Sequence, residues 1–207
     1  SDLGLETFLD YLDPDKVSVM VTTNLSMDIT KNPIYQKLKT WKKVDWMISF
    51  DNADKEKFEY VRHGAEWEMF VKNIEQMQQD KQHVQAHPAY SIYCALDLVE
   101  YYDFCVDRNL DLFWCELNHP EHLDIRRAPA VLRQLAMEEI DRVLNKYGDR
   151  KGLAIDMLER YRKTLEDNSY LRPVNVKLNP LYWHAGIEHQ LKKIGRAHVE
   201  LQSHHDL

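Results

Sequence analysis

Four short apolar runs, spaced so that at least one helix fits between each and the next, constrain this chain more than any other feature. They are VSVMVTT (17–23), VDWMISF (44–50), HVQAHPAY (83–90) and LDLFWCEL (110–117). The first two are continuous and rich in β-branched or aromatic residues, the pattern of strands buried on both faces, as parallel strands are. Pro88 weakens the third, because proline donates nothing to a strand ladder. The intervening segments carry apolar residues at helical spacing. The resulting order, α-β-α-β-α-α-β-α-β, calls for crossover connections and so for an α/β fold with a parallel sheet or barrel.

The helices have local signals of their own. Leu5, Phe8, Leu9 and Leu12 place one apolar face on a helix over 3–12, which Asp13-Pro14-Asp15 stops. Asn32-Pro33 starts another, with asparagine as cap, proline at the first position and a stripe of Ile34, Leu38 and Trp41. Asp51-Asn52 turns into a charged helix over 54–61, and Gly64 separates it from a helix over 66–79. Residues 91–107 read as helical. Beyond Pro120, HLDIRRAP reads as a short extended piece, 130–147 as an amphipathic helix closed by Gly148 as a left-handed cap, and 150–166 as a second helix. Residues 129–193 thus form a helical C-terminal extension. The last stretch, IGRAHVELQSHHDL (194–207), fits nothing before it and resembles the translation of a sequencing-library adapter frameshifted after Val199; it is set aside from fold reasoning, and its histidines are not read as a metal tract. Trp41, Trp46, Trp67, Tyr101, Tyr102, Phe104, Phe113 and Trp114 are expected in the core, where aromatics bury the most area.

Composition narrows the partners. A length of 207 residues and an apolar share of 44% suit one globular domain, and a net charge of -7 argues against a nucleic-acid backbone as partner. No apolar run approaches the roughly 18 residues of a membrane span, and no leader opens the sequence, so the expectation is a cytoplasmic protein with no membrane contact. Cys94, Cys105 and Cys115 form no CxxC or CxxxCxxC and read as buried or half-buried thiols. In HPEH (119–122), Pro120 spoils the helical geometry of a histidine metal pair and marks a turn. No G-x-S-x-G elbow supports a serine hydrolase.

In parallel α/β sheets, ligands sit at the carboxyl ends of the strands. The residues there are Thr22, Thr23 and Asn24 after the first run, Ser49 and Asp51 after the second, Ser91 and Cys94 after the third, and Glu116, Asn118 and His119 after the fourth. Such short polar side chains can bond a hydroxylated or charged ligand, and they equally cap helices and shape turns.

Thr23-Asn24, Ser49-Phe50-Asp51, Tyr60-Val61-Arg62-His63-Gly64, Trp67 and Asn73-Ile74, in that order, are similar to the middle of radical S-adenosylmethionine enzymes, closest to the subgroup with twitch or SPASM-type extensions. HPEHLDIRRAPAVLRQL resembles the segment that follows the barrel in the same subgroup. The resemblance implies that residues 1–128 are the later part, about strands three to six, of a partial six-stranded βα barrel, followed by C-terminal helices. It implies a parent enzyme that reductively cleaves S-adenosylmethionine to a 5′-deoxyadenosyl radical for hydrogen abstraction. The family's four-iron, four-sulfur cluster loop and its Gly-Gly-Glu segment are not in this sequence, so the chain is expected to be an N-terminally truncated fragment, inactive alone, with no metal ligands. By the same resemblance Ser49 and Arg62 contact the carboxylate or ribose of S-adenosylmethionine, with Asp51 and Asn24 beside them. An arginine fork suits a carboxylate; the alternative for Arg62 is a surface ion pair with Glu59 or Glu66, and for Asp51 a cap on the next helix. Cys94 stands where relatives place an asparagine. The substrate stays open, a peptide included. The alternative reading is a non-catalytic α/β binding or scaffold module on a degenerate barrel.

Overall fold

Parallel pairing begins with the two most apolar runs. In the computed structural model, which describes residues 3–117, 119–150 and 152–167, β1 (Val19–Thr23) lies beside β2 (Val44–Ile48), with Val19 facing Val44 and Thr23 facing Ile48. The third run gives β3 (His83–Ala86) and β4 (Ala89–Tyr90), the fourth β5 (Asp111–Leu112) and β6 (Cys115–Glu116). Strands β1, β2, β3 and β5 form one sheet in that order, all parallel, and β4 pairs with β6 in a second. The residues expected as a helical extension beyond 167, and the tail over 194–207, lie outside the described residues.

The break between β3 and β4 follows from Pro88. His87 turns its amide to the Ile48 carbonyl (2.8 Å), and Pro88 has no amide, yet its carbonyl still accepts from Cys115 (2.8 Å). The register is the same on both sides of the break: Gln85 faces Asp111, and Ala89, four residues on, faces Cys115. The third and fourth runs are therefore single strand-like paths interrupted at one kink.

The first run corrects the expectation of a doubly buried strand. β1 is the edge of the sheet, and its residues alternate between half-buried and exposed, with Met20 68% exposed. β2, between two neighbours, buries Val44, Trp46 and Ile48.

Helices α1 (Leu3–Leu9), α2 (Pro33–Leu38), α3 (Lys55–Val61), α4 (Trp67–Gln79), α5 (Leu98–Asp107), α6 (Ala130–Tyr147) and α7 (Leu153–Glu166) connect and follow the strands. The Asn32 side chain accepts from the Tyr35 amide (3.0 Å) with Pro33 behind it, the start that the sequence announces. α1 ends at Leu9, short of the proline signal, and exposes Leu5 and Phe8, so its expected apolar face is buried at Leu9, with Leu12 half-buried past its end. Gly64 takes φ 84°, a left-handed conformation that separates α3 from α4 at no side-chain cost. Gly148 does not cap in that way: at φ −56° it continues α6 into a tight 3-10 turn over Gly148–Arg150. The HLDIRRAP segment is likewise two 3-10 turns, Glu121–Leu123 and Ile125–Arg127, not an extended piece.

α5 starts seven residues later than its periodicity suggests. The Asp97 carboxylate, which would cap it, is drawn away to Lys57 and Asn52. The Val99 amide bonds instead to Glu139 of α6 (3.2 Å), so a neighbouring helix supplies the cap. Burial raises the Glu139 carboxyl above its usual range.

Aromatic rings fill the space between sheet and helices. Phe50, fully buried, stacks on Tyr101 at 4.7 Å and meets Phe70 at 5.0 Å and Phe104 at 5.6 Å. Trp114 packs between Tyr101 and Tyr90. Of the aromatics expected in the core, Trp46, Tyr101, Tyr102, Phe104 and Trp114 are buried, while Trp41, Trp67 and Phe113 are half-buried against it.

Two polar contacts tie strands and loops together and yield predictions. Asn73, 1% exposed on α4, donates to the Leu25 (2.9 Å) and Met27 (2.8 Å) carbonyls and accepts from the Ile29 amide (3.3 Å). Replacing it by leucine strands three backbone groups, and Asn73→Leu is expected to lower unfolding free energy by about 3 kcal/mol in urea titrations. At the opposite end of the strands, exposed His83 bridges Asp45 (2.9 Å) and Asp111 (2.8 Å). Asp111 first, then Asp45, raises the imidazole above its ordinary 6.5. A raised folded-state value means the stabilisation is complete below the unfolded value and lost as pH rises through the folded one. The three groups are solvent-exposed, so the effect is expected to be well under ~1 kcal/mol, lost above about pH 6.5 and absent in His83→Gln when midpoints are compared across pH.

Candidate functional site

The carboxyl ends of the parallel strands bring together most of the residues expected there, and sort them by what already holds them. Thr23 and Ser49 are joined through their backbones, the Ser49 amide donating to the Thr23 carbonyl (2.8 Å). Ser49 is half-buried one residue past β2, its side chain free of intramolecular hydrogen bonds among the described residues. The next rim position over is His87, whose amide meets the Ile48 carbonyl.

Asp51 and Arg62 meet each other. Arg62 Nη2 lies 2.8 Å from Asp51 Oδ2, while Asp51 Oδ1 accepts the Ala89 amide at 3.0 Å. Arg62 therefore pairs with neither Glu59 nor Glu66; Glu59 instead accepts the Trp67 amide (3.0 Å) and caps α4. Nor does Asp51 cap the following helix, a task taken by Asp54, whose carboxylate accepts from the Lys57 amide (3.1 Å). Asp51 is 7% exposed with both oxygens engaged. Arg62 is 28% exposed, and its buried Nε has no hydrogen-bond partner. A buried donor without a partner is costly, and the buried Tyr90 hydroxyl at the end of β4 shares that condition.

Asn24 closes a local turn. Its Oδ1 accepts from the Ser26 amide (3.2 Å) and hydroxyl (2.9 Å), and Leu25 behind it takes φ 50°. The Asn73 contacts hold the loop in which this strained residue lies. Of the remaining rim residues, Cys94 is buried: its thiol bonds to the Ala89 carbonyl (3.2 Å) and accepts from the Ser91 amide (3.3 Å), and burial pushes it up to about 12. Glu116 pairs with Arg126, and Asn118 lies outside the described residues.

Three features of the rim escaped the sequence. Lys57 and Asp97, 5% and 7% exposed, form an ion pair with Asn52 Nδ2 donating to the same carboxylate (3.0 Å) and to the Tyr93 carbonyl (3.1 Å). Lysine four places along a charged helix gives no sign of burial. Asn73 sits on an amphipathic face, where its isolated polarity among Phe70, Ile74 and Met77 was the available signal. The third is a pair: Cys115 Sγ lies 2.9 Å from His87 Nε2, with both side chains half-buried, and the kink at Pro88 brings them together.

Cofactor fit divides sharply. For an iron–sulfur cluster the residues do not fit: Cys94 and Cys105 are buried, Cys115 lies against His87, and among the described residues no group of three or more histidine, cysteine or acidic side chains can hold a metal ion. At the rim itself stand the Arg62 guanidinium, paired with Asp51, and the half-buried Ser49 one residue past β2. No helix among the described residues is long and apolar enough to cross a membrane.

No family model matches this chain, and no curated protein matches it. Among solved structures it is similar to Streptococcus suis SuiB bound to S-adenosylmethionine, with a TM-score of 0.48 and 17% identity over 63% of this chain and 31% of that one. It is similar also to Streptococcus suis SuiB, with a TM-score of 0.48 and 16% identity over the same shares. The chain spans 31% of the length of the solved structures it matches.

Proposed function

We propose that the carboxyl rim of this sheet is one wall of an S-adenosylmethionine site, in a protein of the radical S-adenosylmethionine type. The observation that carries the reading is the Asp51–Arg62 ion pair at the carboxyl rim, two positions of the resembling motif, with Ser49, a third, one residue past β2. The order of the parallel strands along the chain, without reversal, agrees with later strands of a βα barrel. In this reading Arg62 and Ser49 contact the ligand's carboxylate or ribose, Asp51 holds the guanidinium flat toward it, and Asn24 shapes the loop above β1. Bound S-adenosylmethionine supplies an activated adenosyl group; the chain's own residues orient it and shield it from water. On this reading these residues hold no reducing cluster, and the chain by itself is inactive. Assignment to the twitch or SPASM-type subgroup belongs to the same proposal, as does a cytoplasmic setting.

Binding of S-adenosylmethionine to the 207-residue chain, followed by calorimetric titration, tests the reading. Loss of one charge-assisted hydrogen bond is worth enough for Arg62→Ala to weaken binding about tenfold. Arg62→Lys is expected to recover only part of that, because an ammonium keeps the charge and loses the fork. An affinity unaffected by Arg62→Ala, or no binding by the parent chain, refutes it.

The dispersed cysteines agree equally with a second reading, a binding module that never carries a cluster. Anaerobic treatment with iron and sulfide is expected to leave no stoichiometric absorbance near about 400 nm, since cluster sites need several converging thiolates. A stoichiometric cluster on this chain sinks the fragment reading and the module together.

A further inference from the structure

The rim holds a second kind of chemistry that adenosyl binding does not use. Cys94 and Cys105 are each 1% exposed, and burial raises both thiols. Cys115 differs in exposure and in company. It is half-buried, and its sulfur lies within nucleophile-to-base distance of an imidazole nitrogen, 2.9 Å from Nε2 and 3.9 Å from Nδ1 of His87. The base is held from two sides: its amide is tied to the Ile48 carbonyl, and its ring lies on Phe113 at 5.3 Å. The two residues sit on adjacent parallel paths at the kink, so the backbone itself sets their spacing.

We propose that Cys115 and His87 form a thiol-exchange site that takes low-molecular-weight disulfides, with Cys115 the nucleophile and His87 the base that receives its proton. Cys115 Sγ attacks one sulfur of the incoming disulfide and passes its proton to His87 Nε2. A new sulfur–sulfur bond forms as the old one breaks, and the departing thiolate takes the proton from His87 and leaves as a thiol. One disulfide is exchanged for another, so no outside oxidant is needed. The class of electrophile follows from what is present: attack on sulfur needs a thiol and a proton acceptor, which the half-buried Cys115 and His87 supply. Acyl transfer would also need donors aimed at a developing oxyanion.

The pH behaviour separates this role from mere packing. Burial lowers the His87 imidazole below its ordinary 6.5 and raises the Cys115 thiol, so the resting pair is a neutral thiol beside a neutral ring. The titratable neighbours on the Cys115 side are Glu116, paired with Arg126, and Tyr161 of α7, whose hydroxyl burial raises. With His87 as base, reactivity climbs as the imidazole loses its proton below that ordinary value and is level through neutrality.

The test is incubation of the folded 207-residue chain with oxidised glutathione, followed by peptide mapping and by rates across pH. One glutathione is expected on Cys115, none on Cys94 or Cys105 until the chain is unfolded, and none anywhere on folded Cys115→Ser. In His87→Asn the rate at neutral pH is expected to fall on the order of 100-fold and to rise only as the thiol itself ionises. No adduct on Cys115 in the folded chain overturns the proposal, as does a His87→Asn profile matching the parent. Should His87→Asn fail to fold, the parent profile still decides, because a rate rising only in alkali excludes the imidazole. The result does not depend on S-adenosylmethionine binding and stands or falls apart from it.

Discussion

The buried ion pair between Lys57 and Asp97 is the constraint around which the carboxyl end of the sheet is arranged. Two charges removed from water lose several kcal/mol of hydration each, and only close pairing with further hydrogen bonds compensates. Asn52 provides one of those bonds, donating to the Asp97 carboxylate, and its own carbonyl oxygen receives the Asp54 amide (2.9 Å). The pair thus joins α3 to the entrance of α5 across the end of β2, and it fixes the turn that carries Asp51. Its consequences reach α5, which loses the cap its sequence offers and takes Glu139 of α6 in exchange. A helix outside the sheet is in this way bound to the geometry of the rim.

Given that frame, the rim residues divide by whether their bonding capacity is spent. Asp51 has given both oxygens to Arg62 and Ala89, and Asn24 has given its oxygen to Ser26. Arg62 keeps a buried Nε with no partner, and Ser49 keeps a half-buried hydroxyl. The first two are positioning groups by this criterion, and the Ser49 hydroxyl and the exposed part of the Arg62 guanidinium keep capacity for a further contact. The sequence sets Ser49 and Arg62 apart as contacts only through the resemblance and leaves Asp51 and Asn24 open between ligand and cap, because spacing shows which residues reach a rim and says nothing about which have already bonded each other.

The same limit explains what was legible in the fold. Element types came through wherever one local signal dominated: Asn32-Pro33 starting α2, the kink at Pro88, the long amphipathic α6. Failures came where a distant residue overrode the local signal. Asp97 is drawn off by Lys57, forty residues earlier, and α5 shortens accordingly. β1 reads as an inner strand but takes the edge, and the alternation of Val17, Val19 and Val21 with Ser18, Met20 and Thr22 is the signal of a half-buried strand that its apolar content masked. Gly148 had the composition of a left-handed cap, yet the chain runs on into a 3-10 turn where right-handed geometry suffices.

The two ends of the sheet also differ in how their charges are kept, and the difference says which end can do chemistry. At the amino end, His83 and its two aspartates are exposed, where water screens their attraction and a proton changes little. At the carboxyl end, Lys57, Asp97 and Asp51 are each below a tenth exposed, and Arg62 meets them at the margin. Screening there is weak, so a charged or polarisable ligand placed at that margin feels fixed groups that do not relax to accommodate it. The half-buried Cys115 and His87 lie at the same end of the sheet, and burial favours their neutral forms, a thiol beside an unprotonated imidazole.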